Sequence, residues 1–251
     1  MVADETTPTA KELMVAAAAR EIGDGELVFV GMRLPLLAFR LAQATHARNA
    51  VGLYENGLIR ERAAASPLFT MSDAPNVRLA TSATDMLDVM GLLQSGRVSL
   101  GFVGAAEVDR FGNLNSTRVP GTRLPGSGGA SDIASLAGRV AVLLKHDKHR
   151  LVDRVHHLTS PGHGDGGGWR ERTGLRGRGP VAVFTDLAVL RFDPESHEAT
   201  LHSYHPMSSP EEVASATGWP LRKSADCGPT PLPRRDELEL LRSFDPDSFW
   251  L

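Results

Sequence analysis

Leu27-Val28-Phe29-Val30-Gly31, the helix-forming run Leu36 to Ala47, and Val51-Gly52-Leu53-Tyr54-Glu55-Asn56-Gly57 follow one another and decide the fold. The two short apolar runs suit buried strands, and the segment between them has helical composition. A strand, a crossover helix and a second strand form the unit from which parallel sheets are built. Upstream, Thr9-Ala10-Lys11-Glu12 has the capping-box spacing of a helix start, and the Ala-rich run to Ile22 ends at Gly23-Asp24-Gly25. Downstream the alternation continues. Strands are expected at 77–80, 98–103, 140–144, 181–185, 189–192 and 200–204, the last pairing with its predecessor. Helices are expected at 85–93, 132–136 and 236–244, with another opening at Ser209-Pro210-Glu211-Glu212. The pattern predicts an α/β fold: an open, mostly parallel sheet with helices on both faces, with residues 1–251 as one domain.

Composition narrows the function. The chain has 251 residues, 41% hydrophobic and 23% charged, with a net charge of -3. It can bury a sizeable core, and its charge exerts no pull toward nucleic acid or an anionic membrane. One cysteine, Cys227, excludes an internal disulfide and fits a reducing compartment. No apolar run approaches the roughly 20 residues a membrane span needs. The acidic start (Asp4, Glu5) and the short Val15–Ala19 patch do not read as a secretory signal. A cytoplasmic protein is expected.

In parallel sheets, functional residues gather at the carboxyl ends of the strands. Glu55 stands there, and Asn56-Gly57 after it tolerate the positive φ of a tight turn. Such a turn either exposes a glutamate to solvent or projects a carboxylate nucleophile from a rigid strand. Gly126-Ser127-Gly128-Gly129-Ala130 lacks the lysine of a Walker loop and the spacing of a dinucleotide fingerprint. It is either a flexible loop or a backbone cradle whose N–H groups stabilise an oxyanion. Five histidines lie between Lys145 and His163: His146, His149, His156, His157 and His163. The interleaved Lys145, Lys148 and Arg150 oppose a cation, so a charged surface facing a partner or a ligand phosphate is expected rather than a metal site.

These segments, taken in order, resemble the class I CoA-transferases, and among them the B (beta) chain of glutaconate CoA-transferase. Gly31-Met32-Arg33-Leu34-Pro35 resembles the family's Gly-x-x-Leu-Pro segment. Gly104 through Thr117 matches its Gly-Ala-Gln-Ile-Asp-x-x-Gly-Asn-x-Asn-Ser-Thr block. Gly126–Ala130 is similar to its glycine loop, and Thr159-Ser160-Pro161-Gly162, Gly168 to Leu175 and Tyr204 to Gly218 recur in the family's order. The resemblance implies that Glu55 is the catalytic glutamate, that Gly128 and Gly129 supply oxyanion donors, and that Asn115 contributes from its side chain. It also implies a coenzyme A thioester as substrate with no permanently bound cofactor, a carboxylic acid acceptor, and a separate A (alpha) subunit. Tyr54-Glu55-Asn56-Gly57 is nearer to the Ser-Glu-Asn-Gly of 3-oxoacid CoA-transferases than to the glutaconate enzyme's Glu-Ser-Gly. An acyl-CoA (ring-opening) hydrolase on the same fold is the alternative. The related ring-opening hydrolases lack this glutamate in their beta chain, so its retention favours transfer. A sugar-phosphate-sensing regulator of related fold requires a DNA-binding helix-turn-helix, for which the segment before the first strand is short.

Overall fold

A computed structural model describes residues 7–64 and 68–251; the acidic start at Asp4 and Glu5 lies outside them. Helix α1 (Ala10–Ala19) begins at the expected capping box, with Glu12 N–H donating to Thr9 Oγ1 and Thr9 N–H to Glu12 Oε2. Strand β1 (Leu27–Phe29), helix α2 (Leu34–Ala44) and strand β2 (Val51–Leu53) complete the expected unit, and β1 pairs with β2 in parallel. Then come β3 (Leu58–Arg60), the short α3 (Ala74–Val77), β4 (Ser82–Ala83), α4 (Met86–Gln94) and β5 (Leu100–Val103). Two small hairpins, β6 (Glu107–Asp109) with β7 (Leu114–Asn115) and β8 (Arg118–Val119) with β9 (Thr122–Arg123), lead to α5 (Ala130–Leu136) and β10 (Arg139–Leu143). The remainder is β11 (Leu151–Val152), α6 (Trp169–Arg172), β12 (Pro180–Phe184), β13 (Ala188–Phe192), β14 (Ala199–Tyr204), α7 (Pro210–Ser215), β15 (Lys223–Pro229) and α8 (Arg235–Phe244).

Ten strands form one sheet in the order β15-β14-β13-β12-β10-β5-β1-β2-β3-β4. Its centre, from β12 to β2, is parallel, as the alternation requires. Antiparallel hairpins extend both flanks: β12-β13-β14 on one side and β2-β3-β4 on the other. Side-chain alternation divides the core. Val28, Leu100, Phe102, Ala141 and Ala182 pack under α1, α2 and α8 on one face. Phe29, Leu53, Val140, Val142 and Val183 pack under α4 and α5 on the other. Such two-sided burial explains why these strands read as continuous apolar runs.

One expected strand is corrected. Residues 77–80 close α3 and turn: Val77 ends the helix, Leu79 has φ +59°, and pairing resumes only at Ser82. Pro75 in the first helical turn favours the helix, and the left-handed Leu79 breaks the extended run. The histidine-rich segment meets expectation only in part: Lys145, Lys148, His149, Arg150 and His156 are exposed, as a charged surface requires, but two of its histidines are not. His146 and His163 are each only 5% exposed, so they belong to the interior rather than a charged surface. The His146 ring bonds to Thr185 Oγ1 (2.9 Å) and Thr217 Oγ1 (3.0 Å), and His163 Nε2 to the Pro180 carbonyl (2.8 Å). His205, fully buried, bonds to Thr230 Oγ1 and the Thr185 carbonyl. Among the described residues no group of His, Cys, Asp or Glu is arranged to hold a metal ion. No helix among them is long and apolar enough to cross a membrane.

Burial holds His146, His163 and His205 at a pKa of about 4 instead of 6.5. They are neutral in the fold, whereas the unfolded chain protonates them first as pH falls. Stability is therefore expected to drop as pH falls from 6.5 toward 4, by up to about 3 kcal/mol per histidine. Denaturant midpoints between pH 7 and pH 4 check this: the pH slope should flatten in His205→Gln, and a flat wild-type profile contradicts it.

Candidate active site

Strand β2 ends at Leu53, and Tyr54 begins a turn whose hydrogen bonds fix the direction of Glu55. Tyr54 N–H donates to the Leu58 carbonyl (2.9 Å), and Gly57 N–H to the Tyr54 carbonyl (2.9 Å). Gly57 has φ +96°, and a Cβ there would lie 2.4 Å from the Thr84 carbonyl oxygen. Only glycine fits both constraints. Asn56 braces the far side of the turn, donating from Nδ2 to the Met71 carbonyl (3.0 Å) and Ser72 Oγ (3.2 Å). Tyr54, beneath, is buried. The Glu55 carboxylate thus projects from a braced turn.

It meets the glycine loop. Gly129 N–H donates to Glu55 Oε1 at 3.0 Å, across 74 residues of sequence. A Cβ at Gly129 would stand 3.2 Å from Oε1 and 2.9 Å from Met90 Cε, and one at Gly128 (φ +52°) 3.7 Å from Oε1. Both glycines therefore leave backbone, not side chain, against the carboxylate. The loop is held here because α5 seats on β5: a Cβ at Gly101 would lie 2.2 Å from Ile133 Cγ2, so the absent side chain lets the helix approach closely.

Asn115 is placed differently. It is fully buried, and both of its side-chain N–H groups are used, one on Glu107 Oε2 (2.7 Å) and one on the Arg118 carbonyl (2.7 Å). Its Oδ1 accepts from Thr117 N–H (3.0 Å). The structure therefore brings Glu55, Gly128 and Gly129 together and leaves Asn115 at the base of the β8–β9 hairpin, with no N–H spare. That hairpin feeds the glycine loop, since Leu124 N–H and Gly126 N–H return to the Thr117 and Ser116 carbonyls. Glu107, 2% exposed, also bonds through Oε1 to His156 Nδ1 (2.6 Å). Asp109, next along β6, accepts from the N–H groups of Phe111 and Asn113 and from Asn113 Nδ2, each at 3.0 Å. Burial raises its pKa, and these bonds offset only part of that effect.

Two features escaped the sequence reading. Glu107 and His156 are 49 residues apart, and nothing local marks them as a pair. Arg33, the N-cap of α2, has φ +66° and ψ -120°, a region natural to glycine and costing other residues about 1–3 kcal/mol. The signal was its position just past a strand end, where such strain gathers at functional sites.

Comparison with known proteins identifies the family. The coenzyme A transferase family model matches residues 11–216. The B chain of 3-oxoadipate CoA-transferase from Pseudomonas knackmussii is 39% identical over 240 residues, 93% of this chain and 92% of its own. The crystal structure of glutaconate coenzyme A-transferase from Acidaminococcus fermentans superimposes with a TM-score of 0.90 at 32% identity, covering 98% of both chains. The decarboxylase AibA/AibB superimposes with a TM-score of 0.82 at 28% identity, over 96% of each chain. The chain belongs to the coenzyme A transferase family, as a chain of the beta type.

Proposed function

We propose that Glu55 is the nucleophile of CoA transfer, and the observation that carries this is the 3.0 Å bond from Gly129 N–H to its Oε1. With Oε1 held, Oε2 attacks the acyl carbon of the donor thioester. The C–S bond breaks, CoA leaves as the thiolate, and an acyl-glutamyl anhydride forms. The thiolate then attacks Glu55 Cδ, and negative charge develops on Oε1. The Gly129 N–H already points at that oxygen, so the donor is in place before charge appears. A donor of this kind is typically worth about 3–4 kcal/mol. Collapse breaks the Cδ–Oε2 bond, releases the donor acid and leaves a glutamyl-CoA thioester. An acceptor carboxylate reverses the sequence, giving ping-pong kinetics. Because a carboxylate is a weak nucleophile, CoA contacts remote from the reacting carbon help to lower the barrier. Water must stay out, or the anhydride hydrolyses. Asn115 serves as a positioning residue, holding the hairpin that delivers the glycine loop.

The working enzyme is a heteromer with an alpha subunit, cytoplasmic like its CoA-thioester substrates. What supports the partner is the surface beside Glu55. The segment that braces the Gly57 turn exposes Leu79 (86%), Leu87 (79%), Met86 and Val77. Large apolar side chains left this exposed along one short segment suit an association surface.

Incubation of the chain and its alpha partner with an acyl-CoA, followed by borohydride reduction and mass spectrometry, should place the adduct on Glu55. Glu55→Gln, which keeps the side-chain shape, should abolish the adduct and cut transfer at least about 10^3-fold. Turnover that survives without an adduct removes Glu55 from the mechanism. Gly57→Ala is expected to cost about 2–4 kcal/mol in chemical denaturation and to lower kcat by misdirecting Glu55; unchanged values of both would show that the turn does not hold it. Leu87→Glu should leave the lone chain as stable as wild type but abolish co-elution with the alpha partner on gel filtration. Intact co-elution moves the interface elsewhere.

A further inference from the structure

The glycine loop hangs between two fixed points. On one side, Gly126 N–H donates to the Ser116 carbonyl (2.8 Å), just after β7. On the other, Ser131 in the first turn of α5 donates from Oγ to the Thr159 carbonyl (3.1 Å). Gly129, whose N–H meets Glu55, lies between them. The segments that carry Ser116 and Thr159 are paired with each other. Leu114 N–H donates to the Ser160 carbonyl (3.0 Å), Ser160 N–H to the Leu114 carbonyl (3.1 Å), and Ser116 N–H to Thr159 Oγ1 (3.0 Å).

Both segments are rooted on one buried side chain. Glu107 accepts at Oε2 from Asn115 Nδ2 (2.7 Å) and from the His156 backbone N–H (3.1 Å), and at Oε1 from His156 Nδ1 (2.6 Å). Asn115 precedes Ser116 directly, and His156 stands three residues before Thr159. All three neighbours donate, and a carboxylate, which only accepts, matches the set. Contacts near Thr159 alone would let the two segments pivot; the second contact at Glu107 fixes the angle between them. Among the described residues the side-chain bonds of Glu107 run to Asn115 and His156, and none reaches Glu55. Any effect it has on Glu55 passes through Gly129.

Resting on the transferase reading, we propose that Glu107 is a positioning residue for the oxyanion donor: it roots both segments flanking the glycine loop and so holds the Gly129 N–H on Glu55 Oε1. Charge on Oε1 develops only after the thioester has bound, so a displaced N–H weakens the transition state and spares substrate binding.

The test uses the chain with its alpha partner, acetyl-CoA as donor and propanoate as acceptor. Glu107→Met, which keeps the bulk and removes every acceptor, should lower kcat by about 10- to 100-fold, less than outright loss of a donor. The KM for acetyl-CoA should stay within about twofold. Glu107→Gln should recover most of kcat, because its amide still accepts from Asn115 and can donate to the other tautomer of the His156 ring. Ser131→Ala should lower kcat by itself but add little to Glu107→Met, since one donor cannot be displaced twice. Hydrogen exchange read by mass spectrometry should quicken in a peptide spanning residues 124–131 of Glu107→Met and stay at wild-type rates in β10 and β12. Unchanged kcat, full additivity with Ser131→Ala, or faster exchange throughout the sheet each overturns the proposal. Should Glu107→Met fail to assemble, His156→Leu cuts one of the bonds at a side chain already 50% exposed. It must then show the local exchange and a lowered kcat, and the absence of both overturns the proposal. If the wild-type heteromer transfers nothing, the transferase reading is at fault and exchange alone decides: quickening confined to residues 124–131 upholds the positioning role, and unchanged rates overturn it.

Discussion

The site depends on one long-range hydrogen bond, from the Gly129 N–H to the Glu55 carboxylate. Its partners arrive from different parts of the sheet: Glu55 on the turn after β2, and Gly129 at the start of α5. Each end is separately constrained. The turn is closed by Gly57 against Thr84, and the helix is seated through Gly101 against Ile133. Small residues at both contacts let backbone approach backbone. An added methyl group at either would separate the pair without touching the glutamate.

Behind the site, much of the support is polar. The loops after β5 carry few apolar side chains, so their backbone groups are satisfied by buried side chains instead. Asp109 and Asn113 bind one another and the turn between them, and Asn113 Oδ1 accepts from Gly162 and Gly164 N–H at 3.0 Å each. Glu107 and Asn115 do the same for the next hairpin. In this chain the segment from Asp109 to Thr117 is thus a scaffold, with the side chains of Asp109, Asn113 and Asn115 hydrogen-bonded within it and to its neighbours. Such bracing fixes the direction of the Glu55 carboxylate, and orientation is what a mispositioned reacting group loses first.

The same architecture carries different reactions. AibA/AibB, a decarboxylase, superimposes closely at 28% identity. Fold therefore does not by itself specify the reaction. In this chain a glutamate stands at the carboxyl edge, on the turn after β2, held by a backbone donor.

Local physics made much of the protein legible. The capping box at Thr9, the apolar runs that became β1, β2, β10 and β12, and the Asn-Gly turn after Glu55 all depend on neighbours within a few residues. Short strands were not legible. β3, β4 and the hairpins β6–β9 have two or three residues each without the longer apolar run that marks β1 and β2, and β15 (Lys223–Pro229) is mostly polar and exposed. A parallel α/β core and a carboxylate on a tight turn follow from hydrophobic alternation and turn chemistry, which are local. Only the tertiary structure decided that His146 and His163 are interior, that Asn115 is spent on the scaffold, and that Gly129 faces Glu55. Those outcomes turn on which distant strands become neighbours, and sheet order is set by the packing of whole helices rather than by any short segment.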